Sequence, residues 1–269
     1  MATSATIIGN SNLGRGRGNG IAAAIDHWIY VFMAGWFVVI TLVGFVPDSI
    51  GLVAAARSGV RPPLPPILHL HALLMGSLLL LLLAQTILMA RGKRGRHQRL
   101  GRAMFVLAPA IFLVWLILVP TIYQQYWHAA HVPGASILVR KLSGALDDIF
   151  LGQLRVGVLF PLFVFVGLSA RRSDPEMHKR MMILAIATIL SPAIARMRWL
   201  PRPLPGLMSF DLYMLLIVSP MLLWDVIRTR TVPRPYLVWI GCYAVVSIPV
   251  YALTGSAWWH AAVPRIMHV

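Results

Sequence analysis

Residues 149–170 read IFLGQLRVGVLFPLFVFVGLSA, an apolar run interrupted by a single charge, Arg155. As an α-helix such a run is long enough to cross a hydrocarbon core about 30 Å thick. A guanidinium at mid-membrane depth costs roughly 2.5–3.5 kcal/mol on insertion scales, so it faces a protein interior or a wet cavity and takes a partner there. Immediately before the run stand Asp147 and Asp148, two of only eight carboxylates in the chain. This segment identifies the molecule as an all-α polytopic membrane helix bundle and marks where its polar interior lies.

Reading outward, six further apolar runs accompany it, giving spans near 28–46, 67–90, 103–123, 149–170, 181–197, 210–227 and 236–254. The composition agrees: of 269 residues, 58% are hydrophobic and 12% charged, about half the charge of an ordinary soluble domain. The expected organisation is a disordered cytoplasmic tail over 1–26, a seven-helix membrane domain over 27–256 and a short outer tail over 257–269. Placing the N-terminus inside puts fifteen Arg and Lys residues on the inner side and eight on the outer. The positive-inside rule then gives an N-in, C-out topology, as for a multi-pass protein of the bacterial inner membrane.

The net charge of +16 does not argue for nucleic acid. The basic residues are spread over loops that flank spans, where anionic headgroups are the partner, and no basic stripe with stacking aromatics sits on a soluble module. The single cysteine, Cys242, excludes an intrachain disulfide. Gly14, Gly16, Gly18 and Gly20 lack the preceding strand and the spacing of a phosphate-cradling loop. Span one is too long for the apolar core of a cleaved signal. H-E-x-x-H, G-x-S-x-G and Walker patterns are absent, so no catalytic residue is assigned.

Two constellations can carry function. On the outer side, His69, His71, Asp147, Asp148, Arg196, Asp211 and Tyr213 at span ends, with Gln153 and Arg155 inside span four, define an expected polar pocket around Arg155. Asp148 and Arg155 are seven apart, so they share a helix face but stand two turns from each other. Such a pocket suits an anion, a divalent metal or a proton path. On the inner side, His97 and His178 open spans three and five, each flanked by arginine. Two imidazoles at one depth are the pattern of a b-type haem, with Arg94, Arg96 and Arg180 near its propionates. The span-end position is equally what loop topology alone produces. His27, His260 and His268 receive no role.

A short internal repeat links His97-Gln98-Arg99-Leu100 to His178-Lys179-Arg180-Met181, each followed by Pro-Ala-Ile (Pro109 and Pro192). Duplicated hairpins of this kind are common in membrane proteins. Gly35, Gly44, Gly152 and Gly157 are positions where helices can approach closely. Trp28, Tyr123, Tyr126, Trp127, Trp199, Trp258 and Trp259 read as interfacial aromatics.

His69-x-His71-Ala-x-x-Met75, Gln85, His97-x-Arg99-Leu100-Gly101 and His178-Lys179-Arg180-Met181 together resemble a family of uncharacterised multi-pass bacterial inner-membrane proteins. The arrangement, over residues 65–200, is similar to small haem-binding transmembrane cytochromes and to oxidase-assembly membrane proteins. The resemblance implies a redox-linked protein handling haem or quinone. It departs from a di-haem cytochrome because span four carries Asp147 and Asp148 but no histidine. Three functions therefore stand at this point: a redox-cofactor protein; a transporter, channel or small-ligand receptor built on Arg155; and a structural or assembly partner of a membrane complex.

Overall fold

The computed structural model describes residues 11–269, with the side chains of 11–19 and of Leu138 left aside. Ten helices follow in order: α1 Ser11–Arg57, α2 Pro66–Ala90, α3 Arg94–Gly101, α4 Met104–His131, α5 Ile137–Ala170, α6 Pro175–Thr188, α7 Ser191–Arg196, α8 Met208–Thr229, α9 Arg234–Leu253 and α10 Ala257–Ile266. The described residues are 82% helix with no strand, and seven stretches among them are long and apolar enough to span a membrane. The chain is an integral, multi-pass membrane protein by that measure.

Helix ends follow local chemistry. Pro65 is extended (φ −70°, ψ 145°) and delivers the chain to Pro66, whose missing N–H costs nothing in a first turn. Ser136 accepts from the Val139 amide and starts α5, while Asp174 accepts from Met177 and starts α6. Arg230 takes a left-handed conformation (φ 57°) and ends α8. The break between α6 and α7 has a specific cause: Pro192 supplies no N–H and its ring collides with the carbonyl of Thr188, the last residue of α6.

Several boundaries differ from the sequence reading. α1 includes residues 20–26, which were assigned to a disordered tail, and it continues through Pro47 to Arg57; residues 1–10 lie outside the described residues. The expected outer tail is helix α10, capped by Ser256. The two repeat units also diverge. The first breaks at residues 102–103 and keeps Pro109 inside α4, whereas the second stays helical past His178 and breaks just before Pro192.

α6 and α7 form the centre of the bundle, with 72% of their span buried. α6 packs chiefly on α5, with α9, α8 and α1 around it, while α7 packs on α1 and α8. The main core gathers Phe37, Leu78, Phe163, Leu184, Met221 and Tyr236. Interior space is set by glycines at two crossings: a Cβ on Gly44 would meet the backbone of Ala193 at 2.3 Å, and one on Gly157 would meet the Trp115 ring at 2.5 Å. Gly35 has nothing within 4 Å and Gly152 only an ordinary contact with Leu207.

Candidate functional site

The residues expected to form one outer pocket separate into distinct groups. Arg155 is 2% exposed and its guanidinium forks onto Asp211 of α8, both contacts at 2.8 Å. It also donates to Ser247 at 3.1 Å and to Tyr251, while Tyr243 and Tyr251 both donate to Asp211. The Tyr243 ring lies 4.9 Å from the guanidinium carbon. Ser247 and both tyrosines come from one stripe of α9, spaced i, i+4, i+8. That polar stripe within an otherwise apolar span is the signal the sequence reading passed over.

Gln153 points elsewhere, accepting from Trp115 Nε1 at 3.3 Å. It is two residues from Arg155 and therefore on another helix face, four from Gly157, over which the same Trp115 ring lies. Arg196 pairs with Asp48 at 3.0 Å and stacks on Phe45, both on α1. His69 is exposed, whereas His71 buries an Nδ1 that has no partner. Tyr213 donates to the Pro201 carbonyl.

Asp147 and Asp148 belong to a further group. Asp147 accepts from Tyr123 at 2.7 Å and meets His260 Nδ1 at 2.8 Å, while its carbonyl accepts from Trp259. Asp148 accepts from the Gly255 amide at 2.9 Å. These contacts hold α10 across the bundle end, with Trp259 stacked on Phe150. His260 thus has a partner the sequence reading did not give it, and Tyr123 and Trp259 are buried rather than interfacial. Asp147→Ala, which strips a buried acceptor from two partners, should speed hydrogen exchange in α10 more than His260→Ala, whose ring is 38% exposed. Equal exchange in both variants would mean that α10 docks through apolar contacts alone.

At the end of the bundle that carries the basic turns, a second buried ion pair appears. Arg180 forks onto Asp225 with both contacts at 2.7 Å, pairs with Glu176, and Tyr236 donates to Asp225 at 2.6 Å. Arg180 is therefore engaged and unavailable to a propionate. Asp211 and Asp225 lie fourteen residues apart on one face of α8, about 21 Å along the axis. Buried Met214, Val218 and Met221 fill the face between them, so apolar side chains separate the two networks.

The same end brings His97 and His178 together. Their ring centroids are 6.5 Å apart with planes at 80°. His178 Nδ1 lies 2.7 Å from the Gly167 carbonyl, so the tautomer protonated there leaves Nε2 free to bind a metal. His97 buries an Nδ1 without a partner, and both polar atoms of the Gln85 amide are buried without partners too. Arg94 and Arg96 are exposed and, with Gly92, Lys93, Gly95 and Arg99, line a shallow basic concavity. Among the described residues no group of three or more His, Cys, Asp or Glu is placed to hold a bare metal ion. No family model matches the chain, and searches of curated proteins and of solved structures return no match.

Proposed function

We propose that this membrane protein holds a redox cofactor, a b-type haem, between His97 and His178 at the cytoplasmic ends of its helices, in a bacterial inner membrane with the N-terminus inside. The spacing of the two rings carries the reading. Their centroids lie 6.5 Å apart, close enough for both imidazoles to hold one haem iron. Two protein ligands suffice for a haem because the porphyrin supplies four nitrogens of its own. The hydrogen bond from His178 to the Gly167 carbonyl is the kind that orients a ligating imidazole. Arg94 and Arg96, near His97 in the chain and exposed, are the cations that would meet propionates, and a bound iron would supply one-electron transfer.

The Arg155 cluster supports a different role, that of joining helices. Its charge is neutralised by Asp211 and four of its neighbours are already in contact with one another or with it. This favours assembly over a receptor or transport pocket at that position, since an incoming anion would have to displace a bidentate carboxylate.

The test is the absorption and ferric electron paramagnetic resonance spectrum of protein purified from haem-supplied cells. The expected result is a Soret band lost in both His97→Ala and His178→Ala. Ring planes at 80° predict a highly anisotropic low-spin signal instead of the rhombic one given by parallel rings. A folded, colourless wild-type protein would overturn the haem reading; a quinone site would then be read by extraction and redox titration of the bound lipid fraction.

A further inference from the structure

We infer that His260 is a pH-sensitive clasp for α10, fastening that helix across the bundle end more tightly when its imidazole is protonated. The ring sits between two carboxylates of α5. Nδ1 lies 2.8 Å from Asp147 Oδ2, and Nε2 lies 4.0 Å from Asp148 Oδ1. A neutral imidazole carries one ring proton, so it donates to one of these groups and turns a lone pair toward the other. With the proton on Nδ1 the short bond to Asp147 is made, and Nε2 faces Asp148 without one. A second proton makes both nitrogens donors. The Asp147 contact then becomes charge-assisted, and Asp148 gains a cation to close upon.

Among the described residues, His260 is the only basic side chain within ion-pair distance of either carboxylate. α4 brings the Tyr123 hydroxyl onto the other oxygen of Asp147 at 2.7 Å and Gln124 onto the Met267 carbonyl. The Gly255 amide, just before α10, donates to Asp148. α9 contributes the apolar Val250 and Leu253, while Arg265 and His268, beyond His260 in the chain, are exposed and pair with neither carboxylate. A neutral ring therefore leaves two negative charges at the docking surface, and protonation offsets one of them. Docked α10 binds that proton better than undocked α10, so by linkage docking strengthens as pH falls and weakens as pH rises. Histidine side chains make this exchange between about pH 5 and 8. Docking also seals an apolar layer, in which Trp259, Val263 and Met267 of the clasped segment join Tyr123, Phe150 and Leu151. Leu151 stands one turn before Arg155 on the same face of α5, so the clasp governs how far water reaches toward that ion pair. The topology proposed above names only the compartment whose pH is sensed; the clasp does not depend on it.

The experiment is hydrogen exchange of the detergent-solubilised full chain at about pH 5.5 and 8.5, on either side of the histidine range. Each rate is divided by that of an unstructured peptide of the same sequence at the same pH. Wild-type α10 should be about fivefold better protected at the lower pH, the upper end for a part-exposed ion pair. His260→Gln keeps a donor for Asp147 but takes no charge, so its α10 should show the same protection at both pH values. Asp148→Asn removes the second carboxylate and should shrink the pH response while leaving α10 docked at the higher pH. Equal protection of wild-type α10 at the two pH values would overturn the clasp. A wild-type-sized response in His260→Gln would assign the sensing to another group, and one in Asp148→Asn would overturn the two-carboxylate geometry. Where the glutamine variant does not fold, the Asp148→Asn variant decides by the size of its response.

Discussion

Asp225→Ala should lower the stability of the solubilised protein by about 3–5 kcal/mol, the cost of leaving a buried ion without its counter-ion. Asp225 accepts from both Nε and Nη2 of Arg180, and it also accepts from Tyr236. Glu176 pairs with the same guanidinium but is 62% exposed, so it gives little compensation in a screened position. The variant strands a cation on the central helix together with the Tyr236 hydroxyl. Replacing both partners, Arg180→Met with Asp225→Leu, should recover most of the loss, because an apolar pair of similar volume removes the desolvation penalty along with the attraction. Chemical denaturation followed by tryptophan fluorescence would read both. A single variant within 1 kcal/mol of wild type would mean that water, not Asp225, solvates Arg180.

Gly44→Ala should be destabilising by about 1–3 kcal/mol, the range for added volume in a packed interior. The opposing atoms are the carbonyl oxygen, carbonyl carbon and Cα of Ala193, at 2.3, 2.8 and 2.9 Å from the added Cβ. All belong to backbone, so no side-chain rotation relieves the contact and α7 must move as a body. Gly35→Ala, nine residues earlier in the same helix and facing open space, should instead be neutral or stabilising, by up to about 1 kcal/mol of helix propensity. The opposite signs separate the close approach from any general effect of the substitution on α1. Equal behaviour of the two variants in thermal melts would show that α1 and α7 do not meet at Gly44.

The amino-acid sequence by itself determined the fold class and the number of spans. Hydrocarbon forces every backbone polar group into internal pairing, so a long apolar run has one local solution, a helix, whatever its neighbours do. It also marked Arg155 as an interior group, because the cost of a charge in an apolar run is a property of the run. The partners were decided elsewhere. Arg155 meets Asp211 and the Tyr243, Ser247 and Tyr251 stripe, 56 to 96 residues away, and nothing in the spacing along α5 specifies which helix lies against it. Asp147 was legible as polar, but its attachment to His260 depends on α10 folding back over the bundle end, a segment too short and too mixed to be read as anything but a tail. The juxtaposition of His97 with His178 is of the same kind. Their matching span-end positions set the depth, while the lateral packing of α2, α3, α5 and α6 sets the 6.5 Å between the rings. Depth is encoded one residue at a time by the free energy of transfer from water to lipid; lateral neighbours are chosen by shape and by glycine-sized gaps, which exist only once the helices have come together.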